Sequence, residues 1–333
     1  MKASRRLIAQ ALDTLKGNME RTGDPMGFKK DYWTDWAEGM GLPRNGDAVL
    51  MTSRMYQMLP YVMKMTEMIS KAKPIQEIEG IGKLLSVGHR IAGEALIRWK
   101  AKGDTEIKER GVRALRGAVS GLRAVGVMPG YLFEEDPYSG ALLYDLGLSR
   151  YAQQQLSGVY ETFKTKGIKE VIVTDPHTLL MLREIAPQLV GDSNVTARHY
   201  LELLAERKDR LKPVARALRR KYVVHDPCMM ARNLGIVDQV RSVGEALGIT
   251  VIEPENTKQN TMCCGGPIEY AFPELSRGVS GLRIRELAKV STDILVTCPI
   301  CLMNLYRYER EMGLRVRDMG EVLYEAAHGE APA

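Results

Sequence analysis

Short apolar runs alternate with amphipathic stretches along much of this chain. In its last third, "KYVVHDP" (221–227), "ITVIEP" (249–254) and "DILVTCP" (293–299) are β-branched runs of strand length. The first leads into the helical pattern "MMARNLGIVDQVRSVGEALG" and the last into "LMNLYRYEREMG", with "PELSRGVSGLRIRELAKV" as a further helix between them. Strand, turn and helix in alternation predict an α/β fold: a largely parallel sheet flanked by helices, with functional groups at the carboxyl ends of the strands.

The first half carries the same pattern. "EVIVTDPHTLLML" (170–182) lines up with "DILVTCPICLMNL" (293–305), so Asp175 and Thr178 take the places of Cys298 and Cys301. Ser157 of "LSG" precedes Asp175 by the same 18 positions that separate Ser280 of "VSG" from Cys298. Further upstream, "EDPYSGALL" (135–143) answers "NTMCCGGPI", placing Tyr138 and Ser139 opposite Cys263 and Cys264, and Arg54 stands opposite Cys228. The chain therefore reads as a helical lead-in (1–45), a first lobe without cysteines (46–205) that holds a helical insertion at about 60–125, and a second lobe (206–330). If the lobes match, Arg54 and Asp175 come together where the second lobe has ligands, and an ion pair between them is expected, with Tyr138 over it and Thr178 beside it.

All five cysteines, Cys228, Cys263, Cys264, Cys298 and Cys301, lie in the second lobe. An odd number in a chain whose opening shows no secretion-like segment argues against a disulfide scaffold and for ligands. Cys228 and Cys298 fall where strands end. Helix-opening amides there favour thiolates. The vicinal pair Cys263–Cys264 suits a larger object than one small ion, because neighbouring side chains of an extended segment diverge. Gly265 and Gly266 have no side chain to keep their amides from reaching sulfur. Two alternatives stay open: a structural zinc site, which would leave one thiol spare, and a redox-active disulfide within Cys263–Cys264 or Cys298–Cys301. His225, at the end of its strand, is the candidate proton donor.

Composition adds boundaries. With 45% hydrophobic and 26% charged residues the chain is expected to be globular, and the absence of a long apolar run predicts a cytoplasmic protein with no membrane span. The net charge of +6 is spread out, densest at "KPVARALRRK" (212–221), which reads as a solvated helix or a dock for an acidic partner, not a nucleic-acid footprint. The methionines from Met51 to Met68 read as packing or a partner surface.

"HDPC", "CCGG" and "CPIC", in this order, resemble the cysteine-rich CCG domain of the B and D subunits of heterodisulfide reductases and of related Fe–S oxidoreductases, and "GDPMGFKKDYWTDWAEGMGLPRNGDAVLM" (23–51) is similar to the lead-in of those proteins. The resemblance implies one non-cubane [4Fe-4S] cluster held by Cys228, Cys263, Cys264, Cys298 and Cys301, the first motif being empty. It also implies an oxidoreductase subunit that couples one-electron transfer to disulfide/thiol chemistry on a small molecule or carrier. With no ferredoxin-type cysteine run of its own, the chain then needs an Fe–S electron-transfer subunit, and a flavin subunit, as partners in a larger complex. The other reading is an electron relay joining a flavoprotein or dehydrogenase to a membrane quinone reductase.

Overall fold

The computed structural model describes residues 2–64, 66–67, 105–191, 194–211, 220–269 and 272–329. Among these residues eight strands form two four-stranded sheets, parallel throughout. The first holds β1 (Ala48–Met51), β2 (Gly130–Tyr131), β3 (Glu170–Val173) and β4 (Thr196–His199) in the order β2-β1-β3-β4. The second holds β5 (Lys221–Val224), β6 (Thr250–Ile252), β7 (Asp293–Val296) and β8 (Arg315–Asp318) in the order β6-β5-β7-β8. The central strands of both sheets are buried apolar runs, as parallel strands covered on two faces must be.

The repeat extends to the register. Val49 pairs with Val171 in the first sheet and Val223 with Ile294 in the second. Counting five residues on from Val49 and from Val223 gives Arg54 and Cys228, while counting four on from Val171 and from Ile294 gives Asp175 and Cys298. In both sheets the strand order reverses between the two central strands, so each pair lies at the switch point where a parallel sheet opens a crevice. Gly140 and Gly265, opposite each other in the repeat, both adopt left-handed backbone, with φ of 83° and 79°.

The lobes exchange helices. The helix Thr105–Ala124, which precedes β2, packs along Met319–His328, the helix that follows β8. In the mirror arrangement Asp238–Ala246, before β6, packs against Tyr200–Glu206, after β4. Gly117 and Gly320 set the closeness of the first crossing: a Cβ on Gly117 would run into the Gly320 carbonyl oxygen, and one on Gly320 into that of Ala114. Arg110, 2% exposed, locks it by donating from Nε and Nη2 to the two carboxylate oxygens of Glu321, both at 2.9 Å.

The expected insertion is thus helical at 59–64 and over Thr105–Ala124, and one face of the latter is buried between the lobes while Glu106, Lys108 and Glu109 stay exposed; residues 65 and 68–104, with Met65 and Met68, lie outside the described residues, as do 212–219 of the basic segment. The lead-in opens with the helix Lys2–Thr22, whose Leu15 and Met19 are buried, and then packs Phe28, Tyr32 and Trp33 against Tyr61 in a cluster of rings. Among the described residues no helix is long and apolar enough to cross a membrane.

The expected Arg54–Asp175 pair is not what fills the first lobe. Arg54 is buried, but its Nη1 donates to Asp24 Oδ2 at 2.9 Å, and its Nη2 to the Asp136 carbonyl at 3.1 Å. Asp24 comes from the lead-in, where it also accepts from the Met26 and Phe28 amides and from Trp33 Nε1. Asp175 acts locally instead, its Oδ1 capping the helix Pro176–Leu180 by accepting from Thr178 N at 2.9 Å. The expectation failed because the competing carboxylate stands outside the repeat. Tyr138 is buried, its hydroxyl accepting from Leu142 N, but the pair it was expected to cover does not form; Thr178 does lie beside Asp175.

Candidate metal centre

Each thiol is positioned by a local rule. Cys298 has extended backbone (φ −148°, ψ 130°) at the cap of Pro299–Tyr306, the same place and conformation as Asp175 (φ −137°, ψ 151°), and both precede a proline that opens the helix. A thiolate here takes the place of the aspartate without closing the capping hydrogen bond, and the nearby Cys301 amide helps to lower its pKa. Burial pushes the Cys298 thiol up, but hydrogen bonds from Cys301 and from His177 of the first lobe outweigh it and hold it at about 5.

Cys228 opens a π-helical turn, Met229–Asn233, directly after the β5 end, and its sulfur lies 3.8 Å from that of Cys263. Between these two, donation from Cys228 holds the Cys263 thiol far below its ordinary range, helped by Cys264 and by the Gly265 amide, whose nitrogen is 3.2 Å from Cys263 Sγ. Cys228 is raised in return, first by that bond and then by burial. Cys264 interacts in turn with Cys301, and Cys301 with Cys298. The five sulfurs form one connected group, and none of them is in a disulfide. Cys264, Cys298 and Cys301 are buried, whereas Cys228 and Cys263 are partly exposed, so the group has an inner side and an accessible edge.

The two glycines serve the group differently. Gly265 turns left-handed and donates to sulfur; a Cβ there would sit 2.7 Å from the Ser276 carbonyl oxygen. A Cβ on Gly266 would collide with Ile300, which is beside Cys301 in the chain. Both positions therefore demand glycine for close packing of the "CCGG" loop against the helices around it.

His225 is fully buried, and a ring nitrogen lies with the Cys264 and Cys301 sulfurs inside a 4.8 Å sphere of mutual distances. Burial, together with the neighbouring Arg283 charge, holds the imidazole at about 3, so the ring is neutral near pH 7. Its neighbour Asp226 anchors the loop that brings in the vicinal pair. Its Oδ2 accepts from Arg241 Nη2 at 2.9 Å and from the Lys258 amide at 2.8 Å, and its carbonyl accepts from Thr261 Oγ1 at 2.9 Å. Despite burial, Arg241 holds this carboxylate below its ordinary value.

Sequence reasoning brought all five cysteines, Gly265 and His225 to one place, but missed Asp226, Arg283 and His177. Arg283 was readable in part: in "GLRIREL" it occupies the face shared by Ser280, Ile284 and Leu287, where a solvated arginine would not be. No signal marked His177, which reaches Cys298 across the lobe boundary while its Nδ1 lies 3.4 Å from Asp145 Oδ2.

Five convergent sulfurs exceed the four that a tetrahedral zinc takes, and an amide donating to sulfur is the surrounding that a thiolate-ligated cluster needs. Fold and site together define a parallel α/β protein with a cysteine-rich centre at the switch point of its second sheet. Residues 222–306 match the family described as "Cysteine-rich domain", abbreviated CCG. Over 221 residues the chain is 33% identical to the "EtfAB:quinone oxidoreductase" of Syntrophomonas wolfei, an alignment covering 62% of this chain and 30% of that protein. It is 27% identical over 217 residues to the D subunit of the "Dihydromethanophenazine:CoB--CoM heterodisulfide reductase" of Methanosarcina mazei, covering 62% of this chain and 53% of the relative. It is also 24% identical over 218 residues to the "Probable iron-sulfur-binding oxidoreductase FadF" of Bacillus subtilis, covering 62% and 30%. These alignments span roughly a third to a half of the relatives' own length.

Proposed function

We propose that this chain is the substrate-side subunit of a heterodisulfide-reductase-like complex, binding one non-cubane [4Fe-4S] cluster through Cys228, Cys263, Cys264, Cys298 and Cys301. The observation that supports it most is the convergence of five unpaired thiols from three separate segments at the ends of β5 and β7. The names of the relatives, with quinone, heterodisulfide and iron-sulfur among them, support an electron-transfer role. Such a cluster supplies single electrons to a two-electron disulfide/thiol couple.

The chain's own residues divide the work. Cys264, Cys298 and Cys301 hold the inner side out of water, and the Gly265 amide directs a donor at Cys263. The partly exposed Cys228 and Cys263 leave an edge where a sulfur compound can approach, and the neutral His225 holds a proton close to the inner thiols. Electrons come from a ferredoxin-type Fe–S subunit, itself served by a flavin subunit, in a cytoplasmic complex that needs no span from this chain.

The second reading, a relay to a membrane quinone reductase, is favoured by the quinone oxidoreductase among the relatives. Anaerobic purification with iron and sulfide quantitation and EPR tests the centre, and zinc in place of iron overturns it. An EPR signal altered by added thiol or disulfide supports substrate contact; a signal indifferent to both leaves the relay.

A further inference from the structure

We infer that His225 is a fixed hydrogen-bond donor to the sulfur centre, not one of its ligands, and that Arg283 is the positioning residue that locks its tautomer. A guanidinium has donors only. Arg283 Nε lies 3.0 Å from His225 Nδ1, so that nitrogen must present its lone pair, and the neutral imidazole must carry its proton on Nε2. Nε2 is the nitrogen left buried without a protein partner, on a ring that shares its space with Cys264 and Cys301. Coordination of iron through Nε2 would require that proton to leave while Arg283 still occupied Nδ1, making the ring an anion. Hydrogen bonding to sulfur requires no such loss.

The lock is over-determined. Arg283 is 0% exposed; its Nη1 donates to the Asn256 carbonyl at 2.9 Å and to Glu286 Oε2 at 2.8 Å, and its Nη2 to Thr261 Oγ1 at 3.3 Å. Three of the segments that frame the centre are thereby tied to one side chain: the β5 end, the loop into the cysteine pair and the helix Pro273–Ala288. An N–H donated to a sulfur of the bound centre would favour its more negative, reduced form and so raise its reduction potential.

The inference rests on the cluster reading above, and two measurements keep the two apart. In the full chain labelled with 15N-histidine, NMR before iron is added should show His225 as the Nε2–H tautomer. Arg283→Gln should release it, since an amide can accept as well as donate, while Arg283→Lys, whose ammonium only donates, should retain it. After cluster assembly, EPR-monitored titration of His225→Phe should show reduction disfavoured about tenfold, a fall of about 59 mV for one electron, with His225→Gln recovering part of it. An Nδ1–H tautomer, a nitrogen hyperfine coupling of directly bound iron, or an unchanged potential in His225→Phe overturns the inference. Failure to bind iron with the tautomer as expected overturns the cluster reading instead.

Discussion

The two lobes share strand order, register and a left-handed glycine, yet one presents thiols where the other presents Arg54, Tyr138, Ser139, Asp175 and Thr178. The thiol contacts have hydroxyl counterparts. Ser139 Oγ lies 3.3 Å from Thr178 Oγ1, as Cys264 interacts with Cys301, and Asp175 caps its helix through the Thr178 amide where Cys298 occupies the same extended cap position without that bond. A crevice at a switch point is a property of the sheet and persists without its ligands. In the first lobe side chains close it, by capping, by a hydroxyl chain that continues to Ser53, and by a carboxylate brought in from the lead-in. In the second lobe the sulfurs contact mainly one another and the Gly265 amide.

The largest test of this contrast is removal of an inner thiol. Cys298→Ala or Cys301→Ala should abolish iron and sulfide binding in quantitation of the anaerobically prepared chain, whereas Thr178→Ala, the counterpart of Cys301 in the first lobe, should leave the metal content unchanged. Second is Arg54→Ala, which strands the buried Asp24 and should cost about 3–5 kcal/mol in chemical denaturation. The paired replacement Arg54→Met with Asp24→Leu should recover only part of that loss, because the Met26 and Phe28 amides and Trp33 Nε1 then lose their acceptor. If Arg54→Ala were neutral, the ion pair would not be what closes the first crevice.

Gly117→Ala should come next, at about 1–3 kcal/mol, because its Cβ meets backbone that cannot rotate away. The last test reads a slope with pH. Asp136 is raised to about 7, chiefly by burial, against which its bonds from Thr52 and the Arg54 charge work only in part. The folded state therefore keeps a proton that the unfolded chain releases from its ordinary value of 3.8, so this group's stabilisation is full below about 4 and lost as pH rises through about 7. Denaturation midpoints of Asp136→Asn should lack that decline, at most roughly 1.4 kcal/mol per pH unit.

Much of this was legible in the sequence because it repeats. The spacing of "TDPHT" and "TCPIC" carried the positions of Asp175 and Cys298, and the sheet register bears out the placing of Arg54 opposite Cys228. The two parallel lobes flanked by helices followed from the same alternation. What stayed hidden was whatever the repeat does not contain. Asp24 lies upstream of it, so the carboxylate that pairs with Arg54 had no marker. Arg283 and His177 act on the second lobe's site through packing between segments, and a one-dimensional pattern records the face of a helix but not what that face meets.

The helix exchange bears on how the chain reaches this state. Each repeat lends a helix to the other, since Thr105–Ala124 packs on the helix after β8 and Asp238–Ala246 on the helix after β4. Gly117 and Gly320, in contact across the crossing, are some two hundred positions apart along the chain. Closing a loop of that span costs entropy before any contact rewards it, so neighbouring strands pair early and the crossing forms late. Order of synthesis reinforces this: Thr105–Ala124 emerges well before Met319–His328, the helix it packs along. Maturation of the protein is therefore concerted, and a chain severed between its repeats would regain its shape by association of the two pieces, at a rate set by their concentration.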